Sequence, residues 1–319
     1  MEKNIVIGVD LGGTKIKLGA VNQNGEIIKS ISVDAEAAKG PATVISNIVT
    51  GCKELINCGK FPVSSVRGIG IGSPGSVDLD GGTVKYPPNF PNWEVVRLGD
   101  EVSKGLDGLP VEVDNDANAA VAGEAKFGAG KGCSNFFLLT LGTGVGGGII
   151  IDNKIFRGVT GAGAELGHVS INYEGAPCKC GNIGCVEAYV GQRYFSESTA
   201  EKLKKNPNSK IHELINGDYS KLEPLIIFKA AEIGDDFAIK ALADYGFYVG
   251  VAITNFLNIF DFELVVVGGG IAAAGDFIFE PMRKTVKERA LSVHRNKFKI
   301  VPAELGNKAG ILGAAALVP

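Results

Sequence analysis

Several short stretches of this chain carry residues whose type and spacing suit chemistry. The first is Asp10-Leu11-Gly12-Gly13-Thr14-Lys15, an acid followed by paired glycines and a hydroxyl. Glycine lets a backbone come close to a ligand, and consecutive N–H groups then donate to phosphate oxygens. A carboxylate beside such amides repels a bare phosphate unless a divalent cation lies between them. Asp10 therefore points to a Mg²⁺-nucleotide. Related blocks stand at Gly142-Thr143-Gly144 and Gly268-Gly269-Gly270. One such block is readily a tight turn required by packing, but three directly after apolar runs favour ligand binding.

The second feature is a cysteine cluster, Cys178-Lys179-Cys180-Gly181-Asn182-Ile183-Gly184-Cys185, with His168 ten residues upstream. Three thiolates and one imidazole make a closed, tetrahedral, structural Zn²⁺ site. Disulfides are disfavoured, because the chain runs from Met1-Glu2-Lys3 into a strand with no expected export signal, and Cys178 and Cys180 are too close to pair comfortably. Cys52, Cys58 and Cys133 read as small apolar residues.

The remaining polar candidates are local. Asp116, in Asp114-Asn115-Asp116-Ala117-Asn118, follows a strand and opens a helix. A helix N-cap accounts for it as well as catalysis does. Glu165 and Glu187 flank the cysteine cluster, and fixing His168 on a metal would hold both carboxylates rigid enough to read hydroxyls, or they serve only as supports for the metal ligands. Asn89 lies in a stiff proline-rich loop, Pro87-Pro88-Asn89-Phe90-Pro91-Asn92-Trp93, and suits a turn or a ligand contact.

Alternating elements must position these groups. Apolar strands are predicted at 5–10, 66–71, 136–141 and 264–267, with return strands at 16–20 and 147–151 and another at 27–33. A short strand is predicted at 111–113 and another near 298–301. Helical spacing is predicted from Pro41 to Ile56, over 117–127, over 237–260 as one helix or two, and over 309–317. The stretch 192–221 is polar and without clear period. Strand, glycine turn and return strand recur near residues 10 and 142, which suggests two related domains in an α/β chain.

Composition narrows the function classes. At 319 residues the chain suits about two domains. With 45% hydrophobic and 21% charged residues, it is not a disordered chain. The longest apolar run, 136–151, holds five glycines and two threonines and does not suit a membrane span. A net charge of −3 argues against a dedicated nucleic-acid binder. The expected location is cytoplasmic. No Gly-x-x-x-x-Gly-Lys-Ser/Thr loop occurs. The dinucleotide pattern fits at Gly70-x-Gly72-x-x-Gly75 and Gly142-x-Gly144-x-x-Gly147, but neither run is expected to open a helix. A nicotinamide oxidoreductase is thus a secondary reading.

Together these motifs resemble the ROK family (repressors, open reading frames and kinases), and within it the branch of bacterial ATP-dependent glucokinases, over essentially the whole chain. Residues 10–15 and 141–146 resemble the family's two phosphate motifs. Glu165-x-Gly167-His168 with Cys178-x-Cys180-Gly181-x-x-Gly184-Cys185-x-Glu187 resembles its sugar-and-zinc signature. The resemblance implies an actin/hexokinase-like ATPase fold of two ribonuclease-H-like lobes with a cleft between them. The expected division is 1–118 plus 307–319, against 119–306, with the last helix returning to the N-terminal lobe. It implies Asp116 as base on a sugar 6-hydroxyl, with Asn89, Asn115, Glu165, His168 and Glu187 contacting the sugar and Gly75 lining its pocket. Asp10, Gly12, Gly13, Thr14, Lys15, Thr143, Gly144, Gly269 and Gly270 would serve the nucleotide. His168, Cys178, Cys180 and Cys185 would hold structural Zn²⁺, and Mg²⁺ would come with ATP.

Two departures stand out. The family's repressors carry an N-terminal helix-turn-helix, whereas this chain opens on a strand, so DNA binding is not expected. Asp114 stands where many members have Glu, and little effect is expected. The expected activity is ATP-dependent phosphorylation of glucose, in a homodimer. Kinases of N-acetylmannosamine, N-acetylglucosamine, fructose or allose share the frame, as does a sugar-binding regulator without catalysis.

Overall fold

A computed structural model describes residues 4–88 and 90–319. In chain order the elements are β1 (Ile5–Leu11), β2 (Lys15–Val21), β3 (Ile27–Asp34), α1 (Pro41–Gly59), β4 (Val66–Ser73), β5 (Ser76–Asp78), β6 (Thr83–Lys85), β7 (Val95–Arg97), α2 (Leu98–Gly105), β8 (Val111–Asn115) and α3 (Asp116–Phe127). There follow β9 (Phe136–Leu141), β10 (Val145–Ile151), β11 (Lys154–Ile155), α4 (Glu187–Val190), α5 (Gln192–Leu203), α6 (Ile211–Leu214), α7 (Pro224–Glu232), α8 (Asp236–Phe260), β12 (Leu264–Gly268), α9 (Asp276–Arg289), β13 (Lys299–Pro302) and α10 (Ala309–Ala316).

One sheet has the order β3-β2-β1-β4-β8 and a second has the order β11-β10-β9-β12-β13. In the first, β2 is antiparallel to β1 and β3, while β1, β4 and β8 run parallel. In the second, β11 is antiparallel to β10, and β9, β12 and β13 run parallel. The recurring strand–turn–return grammar thus ends in the same sheet order twice. A third sheet, β5-β6-β7, is small.

Packing divides the chain into two units. One comprises Met1–Ser134, Gly148–Ala164 and Ala303–Pro319; the other comprises Asn135–Gly147 and Glu165–Pro302. Residues 119–134, 148–164 and 303–306 thus group with the N-terminal strands, where the sequence reading puts them in the second lobe. Helix–helix packing accounts for the helical part of this difference. At Gly313 in α10 a Cβ would meet the Ala119 carbonyl of α3, and Gly123 of α3 faces Gly313 with equally little room. The middle of α3 is therefore held to α10.

In the first unit α10 lies directly on β1 and β4. A Cβ at Gly8 would strike the Ile311 carbonyl, and one at Gly70 would strike that of Ala314. Only glycine permits that approach. Ile7, Val9, Ile69 and Ile71, from the parallel strands, form the core with Ile48 and Leu55 of α1.

In the second unit the apolar run 237–260 forms one helix, α8. It is long and apolar enough to cross a bilayer by length and composition. Its apolar face is instead buried in the protein, through Leu242, Tyr245, Val249, Ile253 and Phe256. Asp235 caps it, accepting from the Ala238 N–H at 2.8 Å, the Ser209 hydroxyl at 2.8 Å and the Lys210 N–H.

Candidate active site

The first unit presents two groups. At the end of β1, Gly12 turns the chain by donating its N–H to the Lys15 carbonyl at 3.1 Å. A Cβ at Gly310, at the start of α10, would strike the Asp10 carboxylate, so that glycine leaves the acid its place. Lys17 lies 3.6 Å from Asp10, and Lys15 pairs with Asp34 at 2.8 Å. The Lys15 ammonium is therefore engaged on the β2–β3 edge. The Thr14 carbonyl accepts from Ala35 at 2.9 Å.

The second group is the β8–α3 junction. Asn115, not Asp116, is the N-cap of α3, its Oδ1 accepting the Ala117 N–H at 2.9 Å. Asp116 is the first helical residue, and its Oδ1 accepts the same N–H at 2.8 Å. A carboxylate there is stabilised by the positive end of the helix. The Asn115 Nδ2 donates to the Gly75 carbonyl at 3.0 Å, which fixes the loop after β4. Gly75 has φ 91°, and a Cβ would meet Pro87 and the Lys85 carbonyl. Asn89 lies outside the described residues. Its neighbours Phe90 and Trp93 are buried, stacked edge-to-face at 5.3 Å.

Beneath this junction lies a group that sequence reasoning missed. Asp114 is 2% exposed and accepts four donors. Arg157 Nε and Nη2 reach Oδ2, both at 2.7 Å, while Asn118 Nδ2 at 2.9 Å and the Asn115 N–H at 2.8 Å reach Oδ1. Asp114, whose difference from Glu was expected to have little effect, is thus the buried centre that orients both asparagines beside Asp116. Arg157 gave no signal, being one arginine in a glycine-rich stretch.

In the second unit, the turn after β9 closes with the Gly142 N–H on the Gly144 carbonyl at 3.0 Å, and the Gln192 N–H of α5 donates to the Gly142 carbonyl at 3.0 Å. The Val145 N–H donates to Glu187 Oε2 at 2.9 Å. Gly269, at φ 90°, packs where a Cβ would strike Leu141, so the third glycine block abuts the end of β9; Gly270 faces open space. A hollow of about 910 Å³ beside the turn is lined by Thr143 with Gln192, Ser196, Lys204 and Tyr219. Part of its wall comes from α5, which the polar stretch 192–221 conceals.

The four expected metal ligands converge. Their ligand atoms all lie within 4.8 Å of one another, with Cys178 Sγ to His168 Nδ1 at 3.7 Å and Cys180 Sγ to Cys185 Sγ at 3.6 Å. A tetrahedral Zn²⁺ with metal–sulfur bonds of about 2.3 Å requires edges near ~3.8 Å, so the geometry fits. All six cysteines are free thiols. The loop holds its form through the Cys178 N–H on the Asn182 carbonyl at 2.9 Å and the Gly184 N–H on the Ala176 carbonyl at 2.7 Å. The Tyr194 hydroxyl accepts the Lys179 N–H at 2.9 Å. The backbone N–H of Asn182 holds the exposed Cys180 thiol below its ordinary value, while burial pushes Cys185 up to about 12. With Nδ1 facing the thiols, His168 keeps Nε2 for another partner. Glu165, exposed, precedes it. Gly167 packs on β10 so closely that a Cβ would strike the Val145 carbonyl.

A model of the ROK family matches residues 6–319. The chain belongs to the ROK family. It is 38% identical over 318 residues to a glucokinase from Thermotoga maritima, covering 100% of this chain and 98% of that protein. A crystal structure of a ROK family glucokinase from Streptomyces griseus, in complex with glucose and AMPPNP, aligns with TM-score 0.81 and 34% identity over 98% of this chain and 99% of that one. A xylose repressor from Caldicellulosiruptor bescii is 31% identical over 98% of this chain, which spans 77% of the repressor. The ROK fold, an actin/hexokinase-like ATPase fold, agrees with the duplicated sheet order. Neither Gly-x-Gly-x-x-Gly run opens a helix, since β5 follows the first and β10 continues through the second, so the nicotinamide reading is set aside.

Proposed function

We propose that this ROK family member is an ATP-dependent hexose kinase with glucose as its acceptor. The observation that carries the reading is the full-length likeness to a glucokinase at 38% identity. Phosphoryl transfer asks a protein chiefly for positioning and charge neutralisation. The turn at Gly12, Gly13, Thr14 and Lys15 and the turn at Thr143 and Gly144 supply backbone amides for the phosphates, with Gly269 and Gly270 beside the second. The hollow beside Thr143 has room for the nucleoside. Asp10 would hold the Mg²⁺ that comes with the nucleotide, and that ion would supply neutralisation of phosphate charge.

We assign Glu165, His168 through Nε2, Glu187, Asn115 and Asn89 to the hexose hydroxyls, with Gly75 held beside Asn115. Asp116 takes the 6-hydroxyl proton as that oxygen bonds to the γ-phosphorus and the bond to ADP breaks. General-base assistance of this kind contributes roughly 10²–10⁴-fold. His168, Cys178, Cys180 and Cys185 would hold structural Zn²⁺, which would supply a rigid crosslink that fixes the ring of His168 and steadies the flanking glutamates. The reading includes a homodimer, which light scattering tests, and a cytoplasmic location.

ADP release over a panel of hexoses and amino sugars, with and without Mg²⁺, tests this. The expected result is Mg²⁺-dependent release with the highest kcat/KM for glucose. Sugar binding without release from any member would instead favour a regulator, the reading to which the match with a xylose repressor lends weight.

A further inference from the structure

Glu187 opens α4 two residues after Cys185 and is half-buried. Its Oε2 accepts the Val145 N–H at 2.9 Å. Among the described residues no hydrogen bond reaches its Oε1. The carboxylate lies close against the turn, since a Cβ on Gly144 would strike Glu187 Oε2. Two further contacts tie the same backbone to the cysteine-bearing segment: the Gln192 N–H on the Gly142 carbonyl, and Gly167 against the Val145 carbonyl. One carboxylate of the cysteine-bearing segment therefore grips the second glycine turn, with one oxygen committed and one available.

We propose that Glu187 is a positioning residue that sets the second glycine turn with Oε2 and reads an acceptor hydroxyl with Oε1, so that hexose binding orders the turn before nucleotide arrives. The identity of the hydroxyl ligand rests on the kinase reading; the grip on the turn does not. A carboxylate with one free oxygen keeps rotamer freedom. Engaging that oxygen removes the freedom, and a second ligand then meets a turn whose ordering is already complete.

Hydrogen–deuterium exchange of the zinc-replete protein, read on the peptide covering 142–146, tests both parts. Without ligand, Glu187→Ala is expected to speed exchange there roughly 10- to 100-fold, the range for losing a hydrogen bond to a charged group. Glu187→Gln, whose amide oxygen accepts the same N–H, restores most of the protection, and the peptide covering 12–15 is unchanged in both. Exchange in Glu187→Ala equal to wild type would overturn the grip. Saturating glucose without nucleotide is expected to slow exchange at 142–146 about 2- to 10-fold in the wild type, the range for immobilising one such side chain. Glu187→Asp, one methylene too short to span both partners, binds glucose more weakly and, at glucose concentrations that saturate it by calorimetry, shows none of that slowing. Glucose binding seen by calorimetry with unchanged exchange at 142–146 in the wild type overturns the coupling, as does equal slowing in Glu187→Asp. No calorimetric binding of glucose refutes the hexose reading and the coupling with it, and leaves the first arm to decide the grip alone.

Discussion

Replacing Arg157 by Gln is expected to destabilise the first unit and to slow the reaction together. Asp114 is 2% exposed, and two of its four donors are the Nε and Nη2 of Arg157, both at 2.7 Å. Removing one partner of a buried ion pair costs about 3–5 kcal/mol, because the other charge stays buried without compensation. Asn118 and the Asn115 N–H still serve Oδ1, so the lower end, about 3 kcal/mol, applies. At a urea m-value of about 2–3 kcal/mol/M, the midpoint falls by roughly 1–1.5 M. Trp93, the sole tryptophan, is buried in the first unit and reports the transition by fluorescence. The double variant Arg157→Leu with Asp114→Leu recovers only part of the loss, because it leaves no buried charge but strands the Asn118 Nδ2 and the Asn115 N–H without their acceptor. Asp114 also holds the Asn115 N–H beside Asp116, so kcat in Arg157→Gln is expected to fall about 10²-fold, the scale of a 1 Å misplacement. An unchanged urea midpoint with unchanged kcat would refute the role of this cluster.

Asp116→Asn is expected to fold and to bind glucose by calorimetry while losing about 10²–10⁴-fold in kcat; near-wild-type turnover would remove it as the base. Stripping the metal is expected to raise KM for glucose and loosen 165–187, and a chelator competition shows how pH enters. Burial pushes Cys185 up to about 12, so metal must displace its proton, and apparent affinity falls as pH drops from 8 to 6. A pH-independent affinity would refute thiolate ligation. Asp235→Ala is expected to cost about 2 kcal/mol through loss of the α8 cap. Burial raises the pKa of Asp235, but the N–H groups of Ala238 and Lys210 and the Ser209 hydroxyl outweigh it and hold the acid below the ordinary carboxylate value. Its contribution is therefore full above about pH 4 and is lost as pH falls through the lower folded value. The wild-type and variant urea midpoints should converge in acid, and a gap that persists there would refute the charge-based account.

Much of the fold was legible because it was written in period and punctuation. Strands 5–11, 66–73, 136–141 and 264–268 are apolar runs that lead into glycine-bearing turns, and α1 begins at the Pro41 that its sequence announces. The cysteine–histidine spacing placed four ligands that do converge. Other elements stayed hidden for physical reasons. Helix α9 contains Pro281, which argues against a helix interior. In α5, Phe195, Thr199, Ala200 and Leu203 are buried among charged neighbours, a weak apolar stripe. Within the site, sequence could not separate Asn115 from Asp116 as the α3 cap, because both residue types suit it. Nor could it find Arg157, whose partner lies 43 positions earlier. Such pairings are settled by tertiary packing, which local spacing does not encode.

Asp116 is proposed to take a proton from an incoming hexose hydroxyl. A crystal structure of this protein with glucose and a non-hydrolysable ATP analogue bound tests it most directly. The expected structure has an Asp116 carboxylate oxygen within about 2.6–3.2 Å of the glucose 6-oxygen, with that 6-oxygen facing the γ-phosphorus. Both ligands seated with Asp116 beyond reach of that oxygen, and no water between them, would contradict it.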